Sequence, residues 1–442
     1  MLPYFPPTLP PNEAERLEPL RQFDVLLNGW THWGVLGVFV VVYLGMFLGG
    51  LPRLKLDRTG VALLGAIAMI GLTGMGIDEA ARAVDLPTVV LLFAFMLISA
   101  QMRLGGFYTE VTRRVGGLPL SPPALLGALI FTAGALSAVF SNDVICLAMT
   151  PVVIRMCLQQ RLNPLPYLLG LACAANIGSA ATLIGNPQNM LIGSVLQLPF
   201  AGYAATALPP VLASLGLLWA WLLLNPWSGG LRVATQAAGV GVTPTSSNET
   251  PPFDRWQSFK GLAVAGVLMG VFLFTDWPHE VAALVGAGVL LLSRQLHSRE
   301  VMGLVDWPLL LLFMGLFIVN HALQTTGMAE AAVQSLQAQG IRLSEPGTLM
   351  VVAVGLSNLV SNVPAVMLLL PHLGDDPVRT GTLLALVSTF AGNLLLIGSM
   401  ANLIVADIAA REGILLDGKR HLAVGLPVTV LSVGVVALWI GG

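Results

Sequence analysis

The chain has 442 residues, of which 55% are hydrophobic and 10% are charged, and its formal net charge is −2. Soluble domains carry about 25% charged residues, whereas several windows here are apolar over the roughly 20 residues that a helix needs to cross a bilayer. The composition therefore excludes an ordinary soluble protein and predicts an all-α polytopic membrane protein. The lack of a basic tract argues against a nucleic-acid partner.

About ten spanning helices are predicted after an N-terminal segment at 1–32. They are expected at 33–52, 59–76, 86–104, 164–197, 203–225, 258–275, 278–294, 307–325, 378–410 and 423–440. Gly-rich or Pro-containing sequence interrupts two of them, 164–197 and 378–410, and these two are predicted to be broken helices.

Two further apolar stretches, 122–159 and 346–377, each carry a Ser-Asn pair near their middle. Their arms are short for full crossings, most clearly in the second stretch. Both are therefore interpreted as re-entrant hairpins with the Ser-Asn pair at the tip.

A polar stretch at 226–257 is rich in Gly, Pro, Ser and Thr and is predicted to be a flexible linker. It separates a first repeat at 33–225 from a second repeat at 258–442. In the first repeat the scaffold helices are expected within 33–104, and in the second within 258–325.

The two halves repeat in three blocks that occur in the same order. The aligned pairs are "VDLPTVVLLFAFMLISAQMRLGG" (84–106) with "VDWPLLLLFMGLFIVNHALQTTG" (305–327), "SNDVICLAMTP" (141–151) with "SNVPAVMLLLP" (361–371), and "LIGNPQN" (183–189) with "LIGSMAN" (396–402). Each half contains five crossings and a hairpin. Because five is odd, the second half enters the bilayer from the opposite face, which is the inverted-topology repeat of many secondary transporters.

Lys and Arg set the expected orientation, since cytoplasmic loops are enriched in them. Most of the 21 Lys and Arg residues fall on one side of the predicted topology, and the others are Arg16, Arg21, Arg82, Arg342 and Arg379. We therefore expect a multi-pass protein of the plasma (inner) membrane, with both termini outside and the 226–257 linker in the cytoplasm.

Four apolar segments are interrupted near their middle, at Ser141–Asp143, Gly185–Pro187, Ser361–Pro364 and Gly398–Met400. Pro187 and Pro364 cannot donate a backbone hydrogen bond and are expected to stop a helix. An unpaired backbone polar group costs several kcal/mol in a bilayer core, so irregular backbone persists there only against protein or a wet cavity. The breaks fall at matched positions of the two repeats, and we expect them to meet at one central site.

That site needs few formal charges, because helix N-termini favour anions and amide, hydroxyl and carbonyl oxygens can bind Na⁺ or H₃O⁺. The predicted solute-binding residues are Ser141, Asn142, Asn189, Ser361, Asn362 and Asn402. The predicted cation- or proton-coupling residues are Ser141, Asn142, Asp143, Gly185, Ser361, Asn362 and Gly398. Thr182, Gln188 and Asn176 are secondary candidates. No cofactor is expected beyond a coupling Na⁺ or H⁺.

Three of the predicted site residues could instead have a purely structural role. Asp143, whose repeat partner is Val363, either binds the coupling cation or proton, or caps a helix that begins at residue 144. Asn189 and Asn402 either contact the solute or bond backbone groups that the breaks set free.

The segments "SNDVICLAMTPVVIRM", "AANIGSAATLIGNPQNMLI" and "SNVPAVMLLLP" resemble the ion transporter superfamily, which includes citrate and dicarboxylate symporters, arsenite permeases and P-protein-like permeases. The resemblance implies a homodimer with a fixed scaffold and a mobile transport subdomain that moves like an elevator. The dicarboxylate symporters carry Ser-Asn-Thr at both tips. Asp143 and Val363 depart from that pattern here.

The sequence thus predicts a secondary active transporter of a small anionic or oxyanionic solute, such as an organic anion or arsenite, coupled to Na⁺ or H⁺. The alternative is a Na⁺/H⁺ antiporter in which Asp143 is the exchanging acid. An enzyme is not expected, since the histidines and acids are not spaced as a nucleophile–base pair or a metal cluster.

Overall fold

The computed structural model describes residues 11–51, 54–224, 231, 253–293, 295–338, 342–374 and 376–440. These residues are almost entirely helical, apart from one antiparallel pair of two-residue strands, β1 (Gly50–Leu51) and β2 (Leu56–Asp57). The prediction of an all-α membrane protein is therefore confirmed. The predicted linker lies outside the described residues except for Leu231 and its last five positions.

The helices up to the linker are α1 (Pro11–Leu48), α2 (Arg58–Thr73), α3 (Ile77–Ala83), α4 (Leu86–Leu104), α5 (Phe107–Gly116), α6 (Pro122–Val139), α7 (Asn142–Gln159), α8 (Pro164–Ser179), α9 (Pro187–Val195) and α10 (Phe200–Leu224). Those after it are α11 (Arg255–Phe274), α12 (His279–Leu291), α13 (Ser298–Met302), α14 (Trp307–Thr325), α15 (Met328–Ala338), α16 (Pro346–Val360), α17 (Asn362–Leu369), α18 (Pro377–Ala391), α19 (Met400–Arg411) and α20 (Gly418–Ile440).

Eight helices among the described residues are long and apolar enough to cross a membrane: part of α1 (Gly29–Leu48), α4, α6, α7, α10, α11, α14 and α20. The predicted number of ten spans stays a prediction. The pieces of the two broken helices, together with α2 and α12, are each shorter than 18 residues, whereas both arms of the first hairpin reach that length. The expected short arms are therefore found only in the second hairpin, where α16 has 15 residues and α17 has 8.

The first of two compact units comprises residues 1–84 and 314–335. Here α1 begins at Pro11, well before the expected start at 33, since residues 12–20 are mostly good helix formers. Asp57 caps α2 by accepting a hydrogen bond from the Gly60 amide at 2.9 Å. The Tyr43 hydroxyl, buried in this unit, donates to Asn320 Oδ1 at 2.9 Å.

The second unit comprises residues 85–313 and 336–442 and contains both hairpins and both broken helices. The boundaries of the two units do not coincide with those of the two sequence repeats, because residues 314–335 of the second repeat belong to the first unit. The four predicted interruptions thus all lie in one unit, where their mutual geometry can be described.

The core of the second unit is formed by α8 and α18, whose residues 166–179 and 380–391 are all buried. Both helices are apolar around most of their circumference, which is typical of a helix surrounded by protein. A Cβ atom on Gly178 of α8 would lie 2.3 Å from the Cα atom of Gly134 on α6. Only two glycines allow this approach, so the first hairpin and the first broken helix are packed backbone against backbone.

Candidate functional site

The first hairpin turns between α6 and α7 at Ser141, and Asn142 is the first residue of α7. The Asn142 amide donates to the Gly185 carbonyl oxygen at 3.4 Å, and its Nδ2 donates to Asn176 Oδ1 at 3.1 Å. Asn142 is 7% exposed. The hairpin tip is therefore tied to the broken helix of its own repeat by both backbone and side chain.

Asp143 lies in the first turn of α7 and is half-buried, as is Ser141. The alternative in which Asp143 caps a helix beginning at residue 144 is wrong, because α7 begins two residues earlier and Ser141 holds the cap position. Within the described part of the chain, the Asp143 carboxylate makes no hydrogen bond or ion pair. A carboxylate near the N-terminus of a helix is nevertheless favoured by the helix dipole.

The first broken helix is interrupted over residues 180–186, between α8 and α9. Asn186 caps α9 by accepting a hydrogen bond from the Asn189 amide at 2.9 Å, and Pro187 is the first helical residue. We expected Pro187 to stop a helix, and this expectation is wrong. At the first helical position its missing N–H costs nothing, so it begins one.

Gly185 lies where the backbone of the first break passes close to neighbouring backbone. A Cβ atom there would lie 2.2 Å from the Ser179 carbonyl oxygen and 2.7 Å from that of Ser137. Both obstacles are backbone atoms, which cannot move aside as a side chain can. The glycine is therefore required by close approach, and its carbonyl is free to receive the Asn142 amide.

The second hairpin turns at Ser361, whose φ of +78° and ψ of 158° place it in a region that L-residues rarely adopt. Asn362 begins α17 and is half-buried. Pro364, also expected to stop a helix, lies instead in the first turn of α17, where a proline is tolerated. Asn358, one turn before the tip, donates from Nδ2 to the Ala391 carbonyl at 3.0 Å.

The second broken helix is interrupted over residues 392–399, between α18 and α19. The break thus begins six residues before the predicted Gly398–Met400, and it contains a short 3₁₀ turn at Leu396–Gly398. Ser399 caps α19 by accepting a hydrogen bond from the Ala401 amide at 3.2 Å. A Cβ atom on Gly398 would lie 2.7 Å from the Asn358 side-chain oxygen, so this break also contacts its own hairpin.

Asn176 of α8 joins the two repeats. Its Nδ2 donates to Asn393 Oδ1 at 2.9 Å and to Asn402 Oδ1 at 3.1 Å. Its Oδ1 accepts hydrogen bonds from Ser399 Oγ at 2.9 Å and from Asn142. One buried amide therefore contacts the first hairpin tip, two residues of the second break and Asn402 of α19.

Thr389 of α18, in the second repeat, likewise bonds residues of the first broken helix. Its Oγ1 accepts from Asn186 Nδ2 at 3.3 Å and from Gln188 Nε2 at 3.2 Å, and it lies 3.4 Å from Asn189 Oδ1. The first break is therefore held by a residue of the second repeat, as the second break is held by Asn176 of the first.

These contacts follow a pseudo-twofold axis. With Gly185 aligned to Gly398, the matched pairs are Asn176 with Thr389, Asn186 with Ser399, and Asn189 with Asn402. Two cross-repeat contacts, of Asn176 with Ser399 and with Asn402, have counterparts in the contacts of Thr389 with Asn186 and with Asn189. This exchange of the repeats is the pattern of an isologous twofold interface. The two broken helices thus meet around one axis, and the repeat is visible in the hydrogen bonds between them.

Asn189 and Asn402 are fully engaged with protein. Asn189 Nδ2 donates to the Thr182 carbonyl at 3.0 Å and to the Tyr203 hydroxyl at 2.9 Å. Asn402 Nδ2 donates to the carbonyls of Gly392 and Leu395, at 2.8 and 3.2 Å. Both side chains bond backbone groups that the breaks set free, which is the structural role that the sequence left as an alternative.

Four buried amide atoms near the breaks have no hydrogen-bond partner among the described residues: Asn142 Oδ1, Asn358 Oδ1, Asn362 Oδ1 and Asn393 Nδ2. An unsatisfied buried polar group is costly, so these atoms are the ones available to a polar solute, an ion or water. None of the side chains that form the contacts above carries a fixed positive charge.

Sequence reasoning missed Asn186, Thr389, Asn393 and Ser399, and ranked Asn176 as secondary. These residues could have been found by extending the repeat alignment beyond the identical residues. In that alignment Asn176 corresponds to Thr389 and Asn186 to Ser399. Comparing polar character rather than identity at aligned positions would have found both pairs.

Comparison with known proteins connects this geometry to transport. The solved structure of the Alcanivorax borkumensis YdaH transporter superposes with a TM-score of 0.57 over 94% of this chain and 97% of that one, at 15% identity. The silicon efflux transporter LSI3 of Oryza sativa is 28% identical, covering 89% of this chain and 94% of its own length. The inner membrane protein YbiR of Escherichia coli is 34% identical over 74% and 81%.

The family profile described as citrate transporter matches residues 45–375, which include both hairpin tips and the first break. Since this match covers most of the chain, and since the fold and the relatives agree with it, the protein belongs to the citrate transporter family of membrane transport proteins.

Proposed function

We propose that the protein is a secondary active transporter of a small anionic or oxyanionic solute, coupled to Na⁺ or H⁺ and working by an elevator-like movement. The observation that carries the proposal is the meeting of the first hairpin tip and both broken helices through Asn142, Asn176 and Asn402, with the second hairpin bonded next to the second break through Asn358. A bilayer tolerates such interruptions only around a protein-lined polar site.

The solute chemistry follows from the groups that remain available. Four helices begin at the breaks, namely α7, α9, α17 and α19, and helix N-termini favour negative charge through their free N–H groups. The unpartnered amide oxygens and the Asn393 Nδ2 offer both acceptors and donors. Such a site suits a compact solute rich in oxygen and hydroxyl groups better than a large polyanion, which would need arginine or lysine.

The relatives support a small solute of this kind, since one is named for silicon efflux. The proposed contacts are Ser141 and Asn142 at the first tip and Ser361 and Asn362 at the second. In this arrangement Asn189 and Asn402 hold the breaks open behind the solute.

A coupling ion would bind beside the solute at the same tips. Hydroxyl, amide and backbone oxygens are the ligands that Na⁺ requires. Asp143 adds a carboxylate that can take up a proton or pair with a cation. The carbonyls of Gly185 and Gly398 complete the proposed set.

An elevator-like movement requires the hairpins and broken helices to move as one body. The close contact of Gly134 with Gly178, and the hydrogen bonds from Asn176 across the repeats, support this requirement. We further propose a homodimer in the plasma membrane, with the scaffold helices forming the fixed part.

A second function, Na⁺/H⁺ antiport, is favoured by one observation. The half-buried Asp143 carboxylate has no hydrogen bond or ion pair among the described residues, as expected for an acid that exchanges a cation for a proton. In that case no solute would be needed for cation movement.

The deciding experiment is uptake by the purified protein in proteoliposomes. A panel of arsenite, silicic acid, citrate and succinate is offered under a Na⁺ gradient or a H⁺ gradient, with the wild-type protein, Asp143→Asn and, as a matched acid control, Asp407→Asn. Asp407 is exposed and pairs with Arg411 on the next turn. We expect gradient-driven uptake of one solute class, reduced about tenfold or more in Asp143→Asn because an intramembrane acid is removed, and unchanged in Asp407→Asn.

Solute uptake that is equally gradient-driven in Asp143→Asn would remove this residue from coupling. Cation–proton exchange without any solute, lost in Asp143→Asn, would replace the first proposal by the second. Absence of both activities would contradict both.

A further inference from the structure

A buried histidine of α20 lies against the second break and has no role in the proposed binding of the solute. His421 is 1% exposed. Its Nε2 lies 2.9 Å from the Asn393 carbonyl oxygen and 3.5 Å from Asn402 Nδ2. Asn393 of this break and Asn402 of α19 are the two residues to which Asn176 donates, so the ring contacts residues that hold the central site in place.

The first repeat has a tyrosine in the equivalent place. Tyr203 of α10 is 2% exposed. Its hydroxyl donates to the Ala180 carbonyl at 2.8 Å and accepts from Asn189 Nδ2 at 2.9 Å. In the repeat alignment Ala180 corresponds to Asn393 and Asn189 to Asn402. The two aromatic side chains therefore make the same pair of contacts in the two halves.

The chemistry of the two contacts differs. A hydroxyl group donates and accepts at the same time, so Tyr203 satisfies both neighbours. A single ring nitrogen cannot do both. Because Nε2 lies 2.9 Å from a carbonyl oxygen, it carries the proton and donates, and the Asn402 amide then faces another donor at the longer distance of 3.5 Å.

In this neutral ring the other nitrogen, Nδ1, is an acceptor, and it is buried without a partner among the described residues. Protonation would place a second N–H at Nδ1, also without an acceptor, and a positive charge inside the helix bundle. A buried charge is costly unless it is paired.

The elements around His421 supply no carboxylate to pair with that charge. The titratable or charged side chains on the helices packed against α20 are Tyr167 and Cys173 on α8, Tyr203 on α10 and Arg379 on α18. Arg379 bonds the Ile440 carbonyl at the far end of α20. Neither α16 nor the 3₁₀ turn at Leu396–Gly398 carries a charged side chain.

The charged neighbours on the chain itself are exposed. Lys419 and Arg420 adjoin His421 on α20, and Asp417 accepts a hydrogen bond from the Arg420 amide. On α19, Asp407 pairs with Arg411 at the exposed surface. Burial therefore opposes protonation of the His421 ring, and none of the acidic side chains described above pairs with the resulting positive charge.

We propose that His421 is a proton-responsive positioning residue: its neutral ring holds the second break in place, and its protonation releases that break and lowers transport. This inference rests on the proposed transport function and adds a control by pH to the same site. The release passes from Asn393 and Asn402 to Asn176 and from there to Asn142 at the first hairpin tip.

The repeat itself supplies the test variant. His421→Tyr gives the second half the hydroxyl that the first half uses, without a group that titrates between pH 5 and 8. Solute counterflow is measured at equal pH on both sides, so that no proton gradient drives it, for the wild type, His421→Tyr and Asp143→Asn. We expect the wild-type transport rate to fall about tenfold per pH unit below the titration midpoint of the His421 ring, as a single titrating group requires. The transport rate of His421→Tyr should not show this decrease.

Asp143→Asn separates the two titratable candidates, because it should keep the acid-sensitive fall that His421→Tyr loses. His421→Gln, whose amide also donates and accepts, replaces His421→Tyr if the tyrosine does not fit. A pH profile in either variant that matches the wild type would overturn the inference.

A measurement on the wild-type protein alone covers the case in which neither variant inserts or no solute is transported. The thermal midpoint in detergent should fall in acid over the titration range of histidine, because the folded protein resists protonation of His421. A midpoint that stays constant between pH 8 and pH 5 would overturn the inference, whereas failure of the solute panel would contradict the proposed function only.

Discussion

The two hairpin tips carry the same Ser-Asn pair but hold it differently. In the first, Ser141 has an ordinary extended conformation, and Asn142 is buried and bonded to Gly185 and Asn176. In the second, Ser361 has a positive φ, and Asn362 is half-buried with no side-chain hydrogen bond among the described residues. The first tip is therefore locked into the hydrogen-bond network, whereas the second is strained and only partly satisfied.

The two breaks show the same inequality. Gly185 is surrounded by backbone oxygens, while the nearest atom to a Cβ on Gly398 is the end of the Asn358 side chain. The two halves fold alike, but the aligned glycines Gly185 and Gly398 meet different obstacles, backbone oxygens in the first half and a side-chain amide in the second. Equivalent substitutions in the two halves should thus have unequal effects.

The largest difference is expected at the glycines. Gly185→Ala would push a methyl group against two carbonyl oxygens, which should destabilise the protein by roughly 3 kcal/mol or prevent insertion. Gly398→Ala meets the Asn358 side-chain oxygen, which can move aside only by weakening the hydrogen bonds of that amide to the carbonyls of Val354 and Ala391, and should cost about 1–2 kcal/mol. Expression level and thermal midpoint in detergent measure both variants, and equal loss in the two would contradict the inequality of the breaks.

A smaller difference is expected at the tip asparagines. Asn142→Ala removes a buried hydrogen bond to Asn176 and should cost about 1–2 kcal/mol, while Asn362→Ala should stay within about 0.5 kcal/mol. Both variants should lose solute uptake, since both side chains are proposed contacts. Thermal midpoints measured beside proteoliposome uptake separate the two effects, and normal uptake by either inserted variant would exclude that residue from the site.

Much of this arrangement could be predicted because apolar runs and their interruptions are local features of the sequence. The Ser-Asn pairs and the Gly-containing breaks stood out against the surrounding apolar residues, and the repeat alignment showed that they should meet. The start of α4 is also local, since Asp85 caps it by accepting from the Thr88 amide.

Other features depend on tertiary contacts that no local pattern contains. Asn176 and Thr389 lie inside buried helices and Asn393 lies in the second break, and the importance of all three comes from partners more than 200 residues away. The early start of the second break, at Gly392, follows from the bonds that Asn402 makes to the carbonyls of Gly392 and Leu395. The prolines misled prediction because the same residue type stops one helix and begins the next.

The smallest change in stability is expected when either tip serine is replaced by glycine, and its sign should differ between the two halves. Neither serine side chain caps the helix that follows it, so the substitution acts mainly through the backbone. Ser361→Gly removes the strain of a positive φ and should stabilise the protein by roughly 1 kcal/mol. Ser141→Gly relieves no strain and adds freedom to the unfolded chain, which should cost about 0.5–1 kcal/mol. Thermal midpoints of the two variants measure the signs, and uptake by Ser361→Gly shows separately whether the hydroxyl contacts the solute. A loss of stability at both tips would mean that the second tip is not strained, and the contrast between the two hairpins would then rest on Asn142 and Asn362 alone.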